Sequence, residues 1–313
     1  MRIFVTGGAG FIGSHMAHTM LKQGHSITVF DNLQCGDTSR IDDIMHNPKF
    51  KFVKGDLLNK QELNKAIKGH DFVFHFAANP DIAKAMEEPD IDLRLTVIAT
   101  FNLLDAMRLN NVRKIAYPSG SGVYGDVGSM PTAEDFGPLL PISMYGASKL
   151  GAEGLITAFC HMYDMQSWIY RFANVIGSRQ THGVILDFIL KLKKNPKELL
   201  ILGDGSQSKS YVHVSEIIGA MLYCIENSKE KVNLYNVSCD DFVSVNEIAE
   251  MVREEMRLPN AKFKYTGGKR GWKGDVPVVR IDATKLKKLG YDIKLSSKEA
   301  VRRTIKELLE ELK

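Results

Sequence analysis

Tyr145 and Lys149 stand four residues apart in Tyr145-Gly-Ala-Ser-Lys149, so on a helix they share one face. Interconverting an alcohol and a carbonyl requires a group that takes the alcohol proton while hydride leaves the carbon. A tyrosinate does this when a nearby cation lowers its pKa, and the Lys149 ammonium is the expected cation. A second cluster binds rather than reacts: Gly7-Gly-Ala-Gly10-Phe11-Ile12-Gly13 follows an apolar run at 2–6 and leads into a helical pattern over 14–23. Gly7 permits a tight turn, Gly10 lets backbone approach a pyrophosphate, and Gly13 lets the helix pack close to the strand. The free N–H groups of the helix N-terminus point at the pyrophosphate. The next apolar run, 26–30, ends in Asp31-Asn32. An acid at that strand tip holds ribose hydroxyls and repels a 2′-phosphate, so NAD is expected in preference to NADP.

Positioning these groups takes a sheet. Strand-like runs at 51–54, 71–76 and 114–117 open into Gly55-Asp56-Leu57, Ala77-Ala78-Asn79 and Pro118-Ser119-Gly120, and a long helix is expected over 91–110. Strands alternating with helices specify an α/β fold, a doubly wound parallel sheet covered on both faces. Ligands bind such sheets at the carboxyl ends of the strands, where all of these loops lie. Asp56 and Leu57 are therefore placed to meet the adenine, with Asp56 as N-cap of the next helix the alternative. Ala77 and Ala78 leave room for the cofactor backbone. Beyond residue 175 the rhythm loosens, with helices expected at 184–194, 215–227, 245–257 and 297–312. The expected domains are a dinucleotide-binding unit over 1–174, to which later segments partly return, and a smaller substrate lobe over 175–313.

Composition narrows the class. The 313 residues are 44% hydrophobic and 25% charged, as in an ordinary soluble enzyme. A net charge of +4, scattered along the chain, does not argue for nucleic acid. With no long apolar run and a strand starting at residue 2, neither a signal peptide nor a membrane span is expected. Four well-separated cysteines without a Cys-x-x-Cys pair suggest thiols in a reducing cytoplasm, and no metal site is expected.

Ordered motifs run the length of the chain: VTGGAGFIGSH (5–15), Asp31-Asn32, HFAANP (75–80), VYGD (123–126), YGASK (145–149), RFANVIG (171–177) with Arg179-Gln180, LGDGSQ (202–207) and GWKGDVP (271–277). In these the chain resembles the extended short-chain dehydrogenase/reductases, whose cradle has this Gly-x-x-Gly-x-x-Gly spacing. Within them it resembles the nucleotide-sugar epimerases, most closely the archaeal-type UDP-glucose (UDP-galactose) 4-epimerases. The resemblance implies a Rossmann fold, a UDP-sugar substrate and a homodimer built on helices near 91–110 and after Tyr145. It implies that Tyr145 takes the 4-hydroxyl proton and that a 4-keto sugar turns over in the pocket before reduction on its other face. Lys149 then also contacts the nicotinamide ribose, and Thr96 and Phe172 lie beside the cofactor. Asn174 meets the sugar nucleotide, Arg179, Lys209 and Arg270 its phosphates, and Asp275 the uridine ribose or the order of its own loop.

The chain departs from the pattern in two places, the first being Thr96, which stands where the family often carries an Asn beside the cofactor and can still hydrogen-bond, and the second a loop. Where the family carries the Ser or Thr that relays the proton, this chain has Gly120, so Ser121, Ser119 or a water must serve. The two residues before Val123-Tyr-Gly are Ser121-Gly122, where sibling dehydratases carry Asp-Glu and decarboxylases a Glu. That disfavours elimination relative to 4-epimerisation. Other sugar-nucleotide reactions stay open: 4-epimerisation of UDP-GlcNAc or UDP-glucuronate, 4,6-dehydration, decarboxylation and 4-ketoreduction. In the family, bulk near the position matching Val279 limits the space around the sugar C2, so the resemblance implies that this small residue leaves room for an N-acetyl group.

Overall fold

The computed structural model describes residues 1–271 and 276–313, which cluster into two compact units. The first comprises Met1–Val123, Met144–Arg171 and Met221–Tyr235. Its centre is β1 (Arg2–Thr6), buried from Ile3 onward. A strand covered on both faces reads as a continuous apolar run, which is why Ile3-Phe-Val lacks alternation. β1 pairs in parallel with β2 (Ser26–Asp31) and β4 (Phe72–His75), β2 with β3 (Phe50–Lys54), and β4 with β5 (Lys114–Gly120). Adding β6 (Gln166–Phe172) and the strand Val232–Val237 gives a seven-stranded sheet, with the last strand beside β6 at one edge and β3 at the other. The chain reverses direction across the sheet between β1 and β4, the topological switch point of a Rossmann fold. β6 and its edge neighbour had not been read from the sequence. Neither opens into a glycine loop, the feature that marks the earlier strands.

Helices cover this sheet. α1 (Phe11–Lys22) begins at Phe11, three residues earlier than the helical pattern suggests, because Gly10 is its N-cap. The expected helix over 91–110 is interrupted: Leu93–Ile98 winds as a π-turn before α3 (Ala99–Leu109). α4 (Met144–Met162) carries Tyr145 and Lys149. Leu103, Leu104, Met107 and Ile156 close on Phe4, Ile115 and Ile169 in one core. Leu104 therefore packs inward, whereas Leu93, Ile98 and Phe101 are exposed.

A buried ion pair fixes α4 to the sheet. Arg171 donates from Nη2 to Glu153 Oε2 at 2.8 Å and from Nε to Oε1 at 3.1 Å, with both side chains under a tenth exposed. Two-pronged geometry of this kind satisfies the carboxylate as well as neutralising it.

The second unit comprises Tyr124–Ser143, Phe172–Ala220 and Asn236–Lys313. Helices Val184–Lys194, Val245–Glu255 and Ser297–Glu311 bury Ile185, Phe188, Ile248, Val252, Val301 and Ile305 together. Capping boxes Ser244/Glu247 and Ser296/Glu299 start the latter two. Residues 124–143, inside the range assigned above to the dinucleotide unit, cluster with this one instead. The Tyr124 hydroxyl donates to Asn236 Oδ1 at 2.7 Å, and Thr132 N–H donates to the Arg280 carbonyl at 2.9 Å. No described helix is long and apolar enough to cross a membrane. The four cysteines are free thiols, with Cys35 exposed and the others buried.

Truncating one partner of a buried ion pair strands the other charge at a cost of about 3–5 kcal/mol. Arg171→Met should therefore lower unfolding stability in urea by about that much, and Glu153→Met added to it should recover most of the loss. A single variant within about 1 kcal/mol of wild type would refute this account of how α4 is held.

Candidate functional site

The site in the first unit is built from the carboxyl ends of β1, β2, β4 and β5. After β1 the chain turns at Gly7, whose φ of +67° only glycine adopts without strain. A Cβ there would lie 2.6 Å from the Ala77 amide nitrogen, so the turn and the loop after β4 are pressed together. A Cβ on Gly13 would lie 2.2 Å from the Gly7 carbonyl oxygen. Gly10 supplies no side-chain cap, which leaves the first N–H groups of α1, at Phe11 and Ile12, without intrahelical acceptors.

At the tip of β2 the Asp31 carboxylate accepts from Ala9 N–H at 3.0 Å and from Leu33 N–H at 2.9 Å, which ties the cradle to the next loop. Burial nevertheless raises its pKa above the ordinary aspartate value, with those two N–H groups and Arg40 opposing. Asn32 donates to Asp56 Oδ2 at 3.2 Å. Asp56 is not a helix cap, since Asn59 caps the next helix, Lys60–Ile67. The Leu57 side chain packs in the core, and its carbonyl accepts from Asn102.

β5 and α4 bring the reactive groups together. Lys149 is buried, donates from Nζ to the Pro118 carbonyl at 2.8 Å, and lies 4.8 Å from the centre of the Tyr117 ring and 5.6 Å from that of Tyr145. Burial lowers its pKa to about 8, opposed by the carboxylates of Asp92 and Glu153. In the protein alone, burial and a nearby carboxylate oppose the acidification of Tyr145 expected from Lys149. Burial first, and Asp92 second, push Tyr145 up to about 12. The hydrogen bond from the Lys149 ammonium goes to the Pro118 carbonyl.

Ser119 is buried at the end of β5, and Ser121 begins a short 3-10 turn. In that turn a Cβ on Gly122 would sit 4.0 Å from a Tyr145 ring carbon. Along the same edge Asp92 Oδ2, Thr96 Oγ1, Tyr117 OH and Ser119 Oγ are buried without hydrogen-bond partners. Interiors pair such groups, so four orphans in one edge fit a polar ligand seated there. With the cradle and Asp31, they fit a dinucleotide. Among the described residues no group of three or more His, Cys, Asp or Glu could hold a metal ion.

Three residues that sequence reasoning missed complete this edge. His75, fully buried, is hydrogen-bonded through Nδ1 to Thr6 Oγ1 at 2.7 Å and through Nε2 to Thr100 Oγ1 at 3.0 Å. Asn79 donates to Asp92 Oδ1 at 3.0 Å, which fixes a buried acid. The signal for His75 was a polar residue ending an otherwise apolar strand. Asp92 carried none, since Pro89-Asp-Ile-Asp92 reads as a solvated helix start.

The other expected residues lie in the second unit. Phe172 is buried, and Asn174 donates from Nδ2 to the Ser210 carbonyl at 3.3 Å. Arg179 has a φ of +63°, and its N–H donates to the Glu311 carboxylate at 2.9 Å. Lys209 lies opposite Val243 in a two-residue antiparallel ladder. Arg270 is ion-paired to Asp126 at 2.7 Å. Asp275 lies outside the described residues.

Comparison with known proteins agrees with this geometry. The sequence profile described as the NAD dependent epimerase/dehydratase family matches residues 3–238. A Methanocaldococcus jannaschii protein provisionally named UDP-glucose 4-epimerase is 33% identical over 310 residues, covering 97% of each chain. A crystal structure of a UDP-galactose 4-epimerase is 37% identical, covers 100% of both chains and gives a TM-score of 0.89. The UDP-glucuronic acid 4-epimerase from Bacillus cereus, solved with UDP-glucuronic acid and NAD, is 26% identical with a TM-score of 0.89, covering 99% of each chain.

Burial first and the Lys149 charge second depress the His75 pKa to about 3. In the unfolded chain it lies near the ordinary 6.5, so between these values the unfolded state binds the extra proton and stability falls as pH falls. The expected slope is about 1.4 kcal/mol per pH unit in that window. Chemical denaturation across it should give a shallower slope for His75→Gln; equal slopes would exclude His75 as the group responsible.

Proposed function

The chain belongs to the NAD dependent epimerase/dehydratase family, and on that premise we propose that it inverts C4 of a UDP-hexose, interconverting UDP-glucose and UDP-galactose. NAD is its cofactor, for which Gly7, Gly10, Gly13 and Asp31 form the diphosphate and ribose sites, with Asn32, Asp56, Ala77, Ala78 and Thr96 around them. When bound, NAD takes hydride from the sugar C4 and returns it, and it adds positive charge to the site.

Tyr145 carries the proton chemistry: its phenolate takes the 4-hydroxyl proton and its phenol returns a proton to O4 after the keto sugar has turned over. At neutral pH the free tyrosine is protonated and Lys149, at about 8, keeps its charge. Tyr145 therefore works as a base only when further positive charge offsets its burial and Asp92. Ser119 and Ser121 are the hydroxyls that replace the missing relay at Gly120. Phe172 lies beside the cofactor, and Asn174, Arg179, Lys209, Arg270 and Asp275 serve the sugar nucleotide. The homodimer buries the exposed Leu93, Ile98 and Phe101, and the enzyme works in the cytoplasm.

One observation carries the choice of reaction. The turn beside Tyr145 is Gly120-Ser121-Gly122, which supplies no carboxylate to eliminate water or promote loss of CO2.

The test incubates purified protein with UDP-glucose, without added reductant, and analyses the product by mass and NMR. A UDP-galactose product of equal mass is expected, with turnover falling by roughly 10²–10⁴-fold in Tyr145→Phe while NAD binding is retained. A product lighter by water or CO2, or turnover confined to UDP-glucuronate or UDP-GlcNAc in parallel reactions, would overturn this substrate and reaction.

A further inference from the structure

Asp92 is a carboxylic acid placed where none is easily kept. It is fully buried at the start of the interrupted helix, one residue before the π-turn. Its Oδ1 accepts from Asn79, which is itself fixed by donating to the Asp81 carbonyl at 2.8 Å, and its Oδ2 has no partner. A buried acid left half-satisfied costs stability unless a nearby charge compensates it.

The neighbouring cations are otherwise engaged. On Asp92's own helix Arg94 pairs with Asp90 at 2.6 Å and with Glu88 at 3.5 Å. Lys84, in the preceding turn, pairs with Glu88. Arg171 on β6 is bound to Glu153 of α4. Among the described residues, the titratable groups on which the Asp92 charge acts are Tyr145 and Lys149 of α4, and His75 of β4, held neutral by burial, faces the same lysine. α4 packs directly on the π-turn, with a Cβ on Gly151 falling 3.5 Å from a Val97 methyl. Among the described residues Lys149 has only a carbonyl as its hydrogen-bond acceptor, and Glu153, another carboxylate near it, already has Arg171.

We propose that Asp92 is a positioning residue of the Tyr145–Lys149 pair: held by Asn79, its carboxylate is the counter-charge that keeps Lys149 an ammonium and sets the pH range in which the pair works. The inference rests on the proposed roles of Tyr145 and Lys149, but its electrostatic content does not depend on the reaction. Asp92 raises both members of the pair, so losing its charge moves both toward lower pH.

The test follows the Lys149 Cε chemical shift against pH in protein labelled with ¹³C-lysine, using Lys149→Arg to assign the signal. Asp92→Asn, nearly isosteric and still able to accept from Asn79, should lower the midpoint by at least about half a pH unit. Asn79→Ala, which favours protonated Asp92 without deleting it, should shift it the same way by less, and it serves if Asp92→Asn does not fold. The pH profile of kcat for Asp92→Asn should move to lower pH on both limbs. An unmoved or raised midpoint overturns the proposal. A lowered midpoint in protein that epimerises no UDP-sugar supports the counter-charge while refuting the reaction assigned above.

Discussion

The arrangement of the first unit depends on burying the ammonium group of Lys149. A lysine removed from water must be paid for by groups placed around it, and here they come from three separate elements. The end of β5 offers the Pro118 carbonyl and the face of the Tyr117 ring. The helix before α3 offers Asp92, while α4 supplies Glu153 a turn beyond the lysine. Satisfying the ammonium therefore fixes α4 relative to β5, and fixing α4 fixes Tyr145. The Glu153–Arg171 pair serves the same end from the other side, since it binds the middle of α4 to β6.

The cradle follows a different logic, in which contact distance matters more than charge. Gly7 faces the Ala77 backbone at a separation that admits no Cβ, and Gly13 faces the Gly7 carbonyl in the same way. These approaches draw β1, α1 and the loop after β4 to a point, with unpaired amides directed outward. The rest of the edge is lined with the Thr96, Tyr117 and Ser119 hydroxyls, which have no partner among the described residues.

Much of this was legible in the sequence because local rules coincided with the tertiary arrangement. The strand-to-loop transitions at Gly7, Gly55 and Ala77 are short-range signals, and the four later helices sit within a residue or two of where their patterns place them. What escaped is non-local. Residues 124–143 belong with the second unit through Tyr124–Asn236 and Thr132–Arg280, pairs separated by more than a hundred residues. The pKa of Tyr145 could not be read from a four-residue spacing, because burial and Asp92, fifty-three positions away in sequence, outweigh the neighbouring lysine. The π-turn at Leu93–Ile98 left no trace in composition, since one wider turn changes the helical phase without changing residue preference.

His75 has a further consequence. A neutral imidazole carries one N–H, so of the two threonine hydroxyls that flank it one must donate and the other accept. Thr6 Oγ1 also accepts from Ala77 N–H at 3.3 Å and keeps a second lone pair, so either ring nitrogen of His75 can carry the proton. The result is a continuous row of hydrogen bonds running from the backbone of the loop after β4, through β1 and β4, into α3. Replacing either threonine by valine would remove more than a hydroxyl. Without Thr6 the imidazole loses its partner at Nδ1, and without Thr100 its partner at Nε2, so a fully buried ring is anchored at both ends.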